Sequence, residues 1–354
     1  MTSTNKKVYK LRKDKSAFEY ESGGALEDLQ NEFSNMGSKR GTSLSQQTCK
    51  TYISKINRIA FMMTGKPYEN YEFLKDADKV IKKIEDSDLK SKKDYLSAVS
   101  KLLRHKKVKE DILEKYNKAM AKEKETETKA RGNNLAKKED IKKTDGKTLK
   151  QIQKEIENYQ ITDNGKIDDT KLINKLIVSF YFMNFDSQGL PNFIPRNDLP
   201  EFKIVSVNRT KKQLSPDFNY LVVDDNKRPN KIIMKNYKTK ATYGTQSFKI
   251  SNTLIDLLEK YLREYGKANG DYLFVDKNNK PFKHNNFANI IENAMKEILG
   301  AKIGIDLARQ IVLTNVYNDN PLMTINQKNL VALAFLHSAS IASEYIRPDL
   351  IPKS

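Results

Sequence analysis

The chain has 354 residues, room for two domains, and 64 lysines and arginines against 45 aspartates and glutamates give it a formal net charge of +19. That excess points to a polyanionic partner, with nucleic acid the expected one. A single cysteine, Cys49, excludes an intramolecular disulfide, three histidines argue against a structural zinc site, no apolar run is long enough to span a membrane, and the opening MTSTNKKVYKLRKDK lacks the apolar stretch of a secretory leader.

Residues 1–42 are polar, carry Gly23, Gly24, Gly37 and Gly41, and read as a flexible arm. Helical patterning starts near Ser43. Ile53, Ile56, Ile59, Ala60 and Met63 recur at three and four, and Gly65-Lys66-Pro67 stops that helix. A second helix carries Phe73, Leu74, Val80, Ile81 and Ile84. A third opens at Ser91, with Asp94 as its capping-box partner, and buries Leu96, Val99, Leu102 and Leu103. Ile112, Leu113 and Tyr116 mark a fourth. The stretch Ala121–Asp140 is charged, poor in apolar residues and broken at Gly132-Asn133-Asn134, as an interdomain linker would be. Residues 43–133 are thus predicted to be an all-helical domain ending in a linker, with the boundary near residue 133.

Residues 134–354 form the second predicted domain. Helical segments at Leu149–Tyr159 and Leu172–Phe182 precede β-like runs at Phe202–Val207, Tyr220–Val223, Lys231–Met234 and Gln246–Ile250, with Asp224-Asp225-Asn226 as a turn. From Thr253 the pattern is mainly helical. The predicted fold is an all-α N-terminal domain followed by an α+β domain, mainly helical with a small antiparallel sheet.

Six residues of the second domain carry candidate chemistry. Arg196 stands in an irregular turn between Pro195 and Pro200, placed to face a groove or to pair with Asp198 or Glu201. Lys238 lies between two β-like runs, among Lys231, Lys235 and Lys240, each suited to tether a phosphate. Arg309 borders an apolar helical stripe of Ile305, Ala308, Ile311 and Val312, where a charge needs a partner, and Asp306 is one candidate three residues back. His337 follows the apolar helix LVALAFL, for which Thr324 and Gln327 form a capping box, and Ser338 caps the short helix after it. Tyr345 comes eight residues after His337. Planar, bidentate arginines suit the charge that builds during phosphoryl transfer, and a tyrosine near a histidine suits a covalent nucleophile. A tyrosine so placed is equally an ordinary packing residue.

In order, the set reads R…K…DxxR…LHS…Y, which resembles the tyrosine recombinases, the phage-integrase superfamily. PRNDLPEFKI is similar to the family's first-arginine box in the versions carried by large DNA viruses, virophages and eukaryotic mobile elements. NYKTKATYG is similar to their hairpin-lysine segment, and LHSASIASEYIR to the closing run. FLKDADKVIKKIEDSDLKSKKDYLSAVSKLL resembles the helical core-binding domain that precedes the catalytic domain. The resemblance covers roughly residues 45–347. One position departs: the family usually shows a histidine where this chain has Asp306, and an ionised carboxylate cannot donate to a phosphate oxygen. Asp306 would instead orient Arg309, or hold a proton if buried.

The resemblance implies a site-specific DNA recombinase or integrase. Tyr345 would attack the scissile phosphate, giving a 3′-phosphotyrosyl bond and a free 5′-hydroxyl. Arg196 and Arg309 would stabilise the phosphoryl charge, Lys238 would protonate the leaving oxygen, and His337 would bond a phosphate oxygen or assist the tyrosine. No cofactor and no metal are needed. The partner is double-stranded DNA, with Lys92, Lys93, Lys101 and Arg104 of the helical domain and Lys231, Lys235 and Lys240 of the catalytic domain on its phosphates. Strand exchange implies a homotetramer on DNA, and the expected location is intracellular, wherever the target DNA lies. Three alternatives stay open: a type IB topoisomerase-like nicking-closing enzyme, a catalytically weakened DNA-binding relative, and a basic packaging or RNA-binding protein in which Tyr345 has no role. The recombinase expectation has a geometric consequence: Arg196, Lys238, Arg309, His337 and Tyr345 should line one basic concavity.

Overall fold

The structure is a computed structural model that describes residues 24–37, 44–131, 135–209 and 214–351. The chain divides into two compact units, Met1–Arg131 and Gly132–Ser354.

The described residues of the first unit are built on α1 (Gly24–Asn35), α2 (Gln46–Thr64), α3 (Ala77–Glu85), α4 (Lys92–His105) and α5 (Glu110–Arg131). α2 starts where the Ser45 side chain accepts from the Thr48 N–H and stops at Gly65, whose φ of 73° only glycine adopts at little cost. α4 buries Leu96, Ala98, Val99, Leu102 and Leu103 against α2 and α5. The capping box expected at its start does not form. Ser91 sits at φ 57° with no side-chain cap, and the Asp94 carboxylate turns instead to Lys55 of α2, 3.0 Å away.

The arm expected over residues 1–42 needs correction. Residues 1–23 and 38–43 lie outside the described residues, but the stretch between contains α1, which buries Leu29 and Phe33 completely in the core of this unit. Two such side chains contribute about 3–6 kcal/mol of burial, enough to hold a short helix in place. The charged stretch from Ala121, read as linker, is helical as far as Arg131. Within it Lys122 pairs with Glu85 of α3 at 3.0 Å, and charges of this kind suit a solvated helix as well as a loop.

The second unit opens with α6 (Lys138–Thr144), α7 (Leu149–Asn158) and a small hairpin of β1 (Thr162–Asp163) and β2 (Lys166–Ile167). α8 (Asp169–Phe182) follows and is buried on nearly every side, so it runs through the middle of the unit with α7, α10, α11 and α12 packed around it. The sheet comprises β3 (Phe202–Ser206), β4 (Asn219–Val223), β5 (Pro229–Met234) and β6 (Gln246–Lys249), in that order across it, with the short α9 (Lys240–Tyr243) between β5 and β6. The last stretch is α10 (Asn252–Glu264), α11 (His284–Leu299), α12 (Ile305–Asp319), α13 (Ile325–Ala334) and α14 (Ala339–Ser343).

The sheet is mixed rather than antiparallel. β4–β5 and β5–β6 are antiparallel, but β3 runs parallel to β4, with Phe202 opposite Asn219 and Ser206 opposite Val223. A tight turn makes antiparallel neighbours, whereas the longer connection 207–218 returns the chain to the starting end of β3. The core of this unit lies between the sheet and the helices and includes Phe180, Tyr181, Phe193, Phe202, Phe274 and Phe287.

Candidate active site

α13 ends in a way that places His337. The His337 N–H donates to the Ala332 carbonyl at 2.9 Å and the Leu336 N–H to Leu333 at 2.8 Å, the paired bonds of a Schellman motif. The left-handed position of that motif is usually glycine; here it is Leu336, at φ 55° and fully buried. A non-glycine residue held there costs about 1–2 kcal/mol. The turn aims the Leu336 carbonyl at two other segments. It accepts from Arg196 Nη2 at 3.3 Å and from Thr239 Oγ1 at 2.9 Å. One carbonyl thus joins the loop before β3, the β5–β6 connection and the end of α13.

Arg309 reaches the same place from the first half of α12. It is 1% exposed. Its Nη1 donates to the Ile194 carbonyl at 2.9 Å, and its Nη2 donates to the Phe335 carbonyl at 2.7 Å and to His337 Nε2 at 3.0 Å. Guanidinium nitrogens only donate, so His337 Nε2 is the acceptor and the ring proton sits on Nδ1. Burial, and then the charges of Arg309, Arg196 and Lys238, pull His337 down to about 3, so the ring is neutral at physiological pH. Burial and the neighbouring Arg196 lower Arg309 to about 10, opposed by Tyr345, Tyr181 and Asp198, and it stays charged.

Tyr345 follows α14, with its N–H on the Ala342 carbonyl at 3.0 Å. Its ring lies 4.9 Å from the His337 ring, and the Arg309 guanidinium carbon stands 5.9 Å from the tyrosine ring centre. The next residues fold back on their own unit. The Arg347 N–H donates to Thr314 Oγ1 at 2.9 Å, Asp349 accepts from the Ala136 N–H at 2.7 Å, and Leu350 and Ile351 are buried.

The structure therefore brings Arg196, Arg309, His337 and Tyr345 together. Lys238 is exposed, but its neighbour Thr239 is tied to Leu336 and its charge acts on His337, so it stands at the edge of the cluster. Asp306 does not join it. It is exposed in the first turn of α12, where a carboxylate complements the positive end of the helix, and Arg309 takes its partners elsewhere. Neither the expected ion pair nor a buried, proton-holding carboxyl is present.

The carboxylate that does accompany the arginines is Asp198. It accepts from the Arg196 N–H at 3.2 Å, and burial raises its carboxyl while Arg196 and Arg309 oppose that rise. The sequence offers Asp198 only as a surface partner for Arg196; nothing local marks it as half-buried. Thr239 and Leu336 were missed altogether, because each acts through a contact distant in sequence.

Of the lysines expected on DNA, three point to backbone. Lys92 Nζ donates to the Glu85 carbonyl at the end of α3, Lys101 Nζ to the Gly37 carbonyl at 2.8 Å, and Lys235 Nζ to the Leu214 carbonyl. Each amine thus holds a backbone carbonyl, a structural task beside any contact with phosphate. Arg104 is exposed, Lys93, Lys231 and Lys240 are half-buried, and Lys240 opens α9 beside Lys238.

Three donors in the cluster are buried and have no hydrogen-bond partner among the described residues: Arg196 Nη1, Arg309 Nε and His337 Nδ1. Leaving a buried donor unmade costs about 1–3 kcal/mol, more for a charged one. Three on adjoining side chains, with two positive charges among them, form a place suited to an anion that brings several oxygens at once.

No family model matches the chain, and no curated protein matches it. Five chains of solved structures do match. One, described as a crystal structure of XerA recombinase, has a TM-score of 0.33 and 12% identity, over 90% of this chain and 92% of that chain. A likeness at that level carries no argument about the site.

Proposed function

We propose that the chain is a DNA strand transferase that cuts and rejoins DNA through Tyr345. The observation that carries this reading is the set of three unpartnered buried donors on Arg196, Arg309 and His337, beside a tyrosine ring. The ordered motifs, which resemble those of tyrosine recombinases, and the net charge of +19 support the same reading.

In the reaction the Tyr345 oxygen forms a bond to phosphorus as the bond to the 5′ oxygen breaks. The phenol proton passes to solvent, and the leaving oxygen takes a proton from Lys238. Arg196 and Arg309 bind the non-bridging oxygens, whose charge grows in the transition state. His337 is neutral and its Nε2 is occupied by Arg309, so it serves as a donor through Nδ1–H and not as the base that activates the tyrosine. The phosphotyrosyl bond keeps the energy of the broken linkage, and a DNA hydroxyl reverses the step without ATP. Site-specific recombination by DNA-bound tetramers is the use we assign, in preference to topoisomerase-like relaxation by one subunit.

The test is covalent capture. The protein is incubated with a pool of nicked duplexes of randomised sequence, resolved under denaturing conditions and analysed for phosphotyrosine linkage. We expect a protein–DNA adduct mapped to Tyr345 and absent from Tyr345→Phe, while DNA binding survives. An adduct that persists in Tyr345→Phe refutes the nucleophile. DNA binding with no adduct in the unaltered chain leaves a DNA-binding relative that Asp306, at the usual histidine position, has helped to disable. Relaxation of plasmid lacking a selected site would favour the topoisomerase reading.

A further inference from the structure

His284, outside every motif above, bonds both ends of the segment 197–201 that follows Arg196, and Glu201 of that segment reaches the connection that carries Lys238. It is the first residue of α11, with its side chain half-exposed. Its Nδ1 lies 2.7 Å from the Asn197 carbonyl, and Asn197 returns the contact by donating Nδ2 to the His284 carbonyl at 2.7 Å. Its Nε2 lies 2.9 Å from Glu201 Oε1, and the other oxygen of Glu201 accepts from Asn236 Nδ2 at 3.1 Å. Asn236 is held in turn by the buried Asn219, which accepts from its N–H at 2.9 Å and donates to its carbonyl at 2.7 Å. Asn197 is next to Arg196, and Asn236 is two residues before Lys238.

Both ring nitrogens of His284 face oxygens that can only accept. Both bonds form only when both nitrogens carry protons, so the arrangement requires the imidazolium. A cation at a helix N-terminus is disfavoured by the helix dipole, and here Glu201 compensates it. The hydrogen bond to Glu201, with help from the Asn197 carbonyl and the charges of Glu201 and Asp198, raises the histidine against the effect of burial. Asp217 lines the same depression, and Lys203 lies over the rings of Phe218 and Tyr272 that also line it.

We propose that His284 is a positioning residue: in its doubly protonated form it ties the Arg196 loop through Glu201 and Asn236 to the connection that carries Lys238, so that the phosphate-binding arginine and the proton donor are set together. This rests on the function proposed above. Deprotonation leaves one ring N–H for two acceptors, and one of the two bonds is lost.

The tie is read first without DNA, by amide hydrogen exchange with mass spectrometry on the full chain at matched pH. His284→Ala should speed exchange about tenfold in peptides covering both 196–201 and 235–245, with the 331–337 peptide unchanged. In the unaltered chain the protection of those two segments should weaken as pH rises above the histidine's titration. In Glu201→Gln that loss should move to lower pH, and in His284→Ala the pH dependence should be absent. With the DNA pool, His284→Ala should slow adduct formation while DNA affinity stays the same, and His284→Asn, which keeps only the contact to Asn197, should lie between. Unchanged exchange in 235–245, or adduct formation in His284→Ala at the rate and pH profile of the unaltered chain, overturns the proposal while the strand-transfer function stands. Loosened segments in a chain that forms no adduct at all overturn both.

Discussion

His337 offers a direct test of the site's electrostatics, because its neutrality follows from what surrounds it. The residue is 4% exposed, and burial first, then the charges of Arg309, Arg196 and Lys238, hold the ring down to about 3. An unfolded chain binds that proton near pH 6.5. The unfolded state therefore takes up the proton first as pH falls, and the folded state loses stability between about pH 6.5 and pH 3. At about pH 5 the unfolded histidine is almost fully protonated and the folded one is not, a difference of about 2 kcal/mol, or about 1–2 kcal/mol after allowance for solvent screening. Other groups titrate in the same range, so the measurement is a double difference. Urea unfolding of the second unit is followed at about pH 7.5 and about pH 5 in the unaltered chain and in His337→Gln. The unaltered chain should lose about 1–2 kcal/mol more than the variant. The chain has only three histidines, so their ring-proton NMR signals can be assigned by substitution and titrated singly. His337 should stay at its neutral position from about pH 8 to pH 5, while His284 titrates above the ordinary range for histidine. Parallel stability curves for the two proteins, or a His337 signal that titrates near pH 6.5, would refute the electrostatic account and with it the assignment of His337 as a neutral donor.

Three further outcomes follow from the packing. Arg309→Lys replaces a planar fork, which reaches the carbonyls of Ile194 and Phe335 and the His337 ring, with a point charge that cannot span them; the second unit should lose about 2–3 kcal/mol, a fall in Tm of roughly 4–12 °C by calorimetry, and an unchanged Tm would show that those bonds carry no weight. Asp306→His changes an exposed residue with no hold on Arg309, so stability should stay within about 0.5 kcal/mol and the rate of adduct formation should hold or rise; a fall in rate would restore a supporting role for the carboxylate. Leu29→Ala removes a fully buried side chain of α1 and should destabilise the first unit by about 2–4 kcal/mol in chemical unfolding, whereas a residue of a loose arm would show no effect.

The features legible in the residue order alone are local ones. The capping box at Thr324 and Gln327 forms as its spacing indicates, Ser338 caps α14, and Gly65 ends α2, because each depends on residues within one turn of one another. The strands at 202–206, 219–223, 229–234 and 246–249 lie where the β-like runs do. The period Leu26, Leu29, Phe33, Met36 was also present, but glycines on either side and a polar composition obscured it. The order of Arg196, Lys238, Arg309, His337 and Tyr345 was legible as well. Which atoms meet was not. The contacts that assemble the cluster join positions 28, 115 and 140 residues apart, and no periodicity encodes such a distance. Local spacing favoured a pair between Asp306 and Arg309, and tertiary burial overruled it by drawing the arginine inward to carbonyls and leaving the aspartate at the helix end. The parallel pairing of β3 with β4, the left-handed Leu336, the half-buried Asp198 and the two-acceptor environment of His284 arise in the same way. Each is fixed by chain segments that become neighbours only when the core closes.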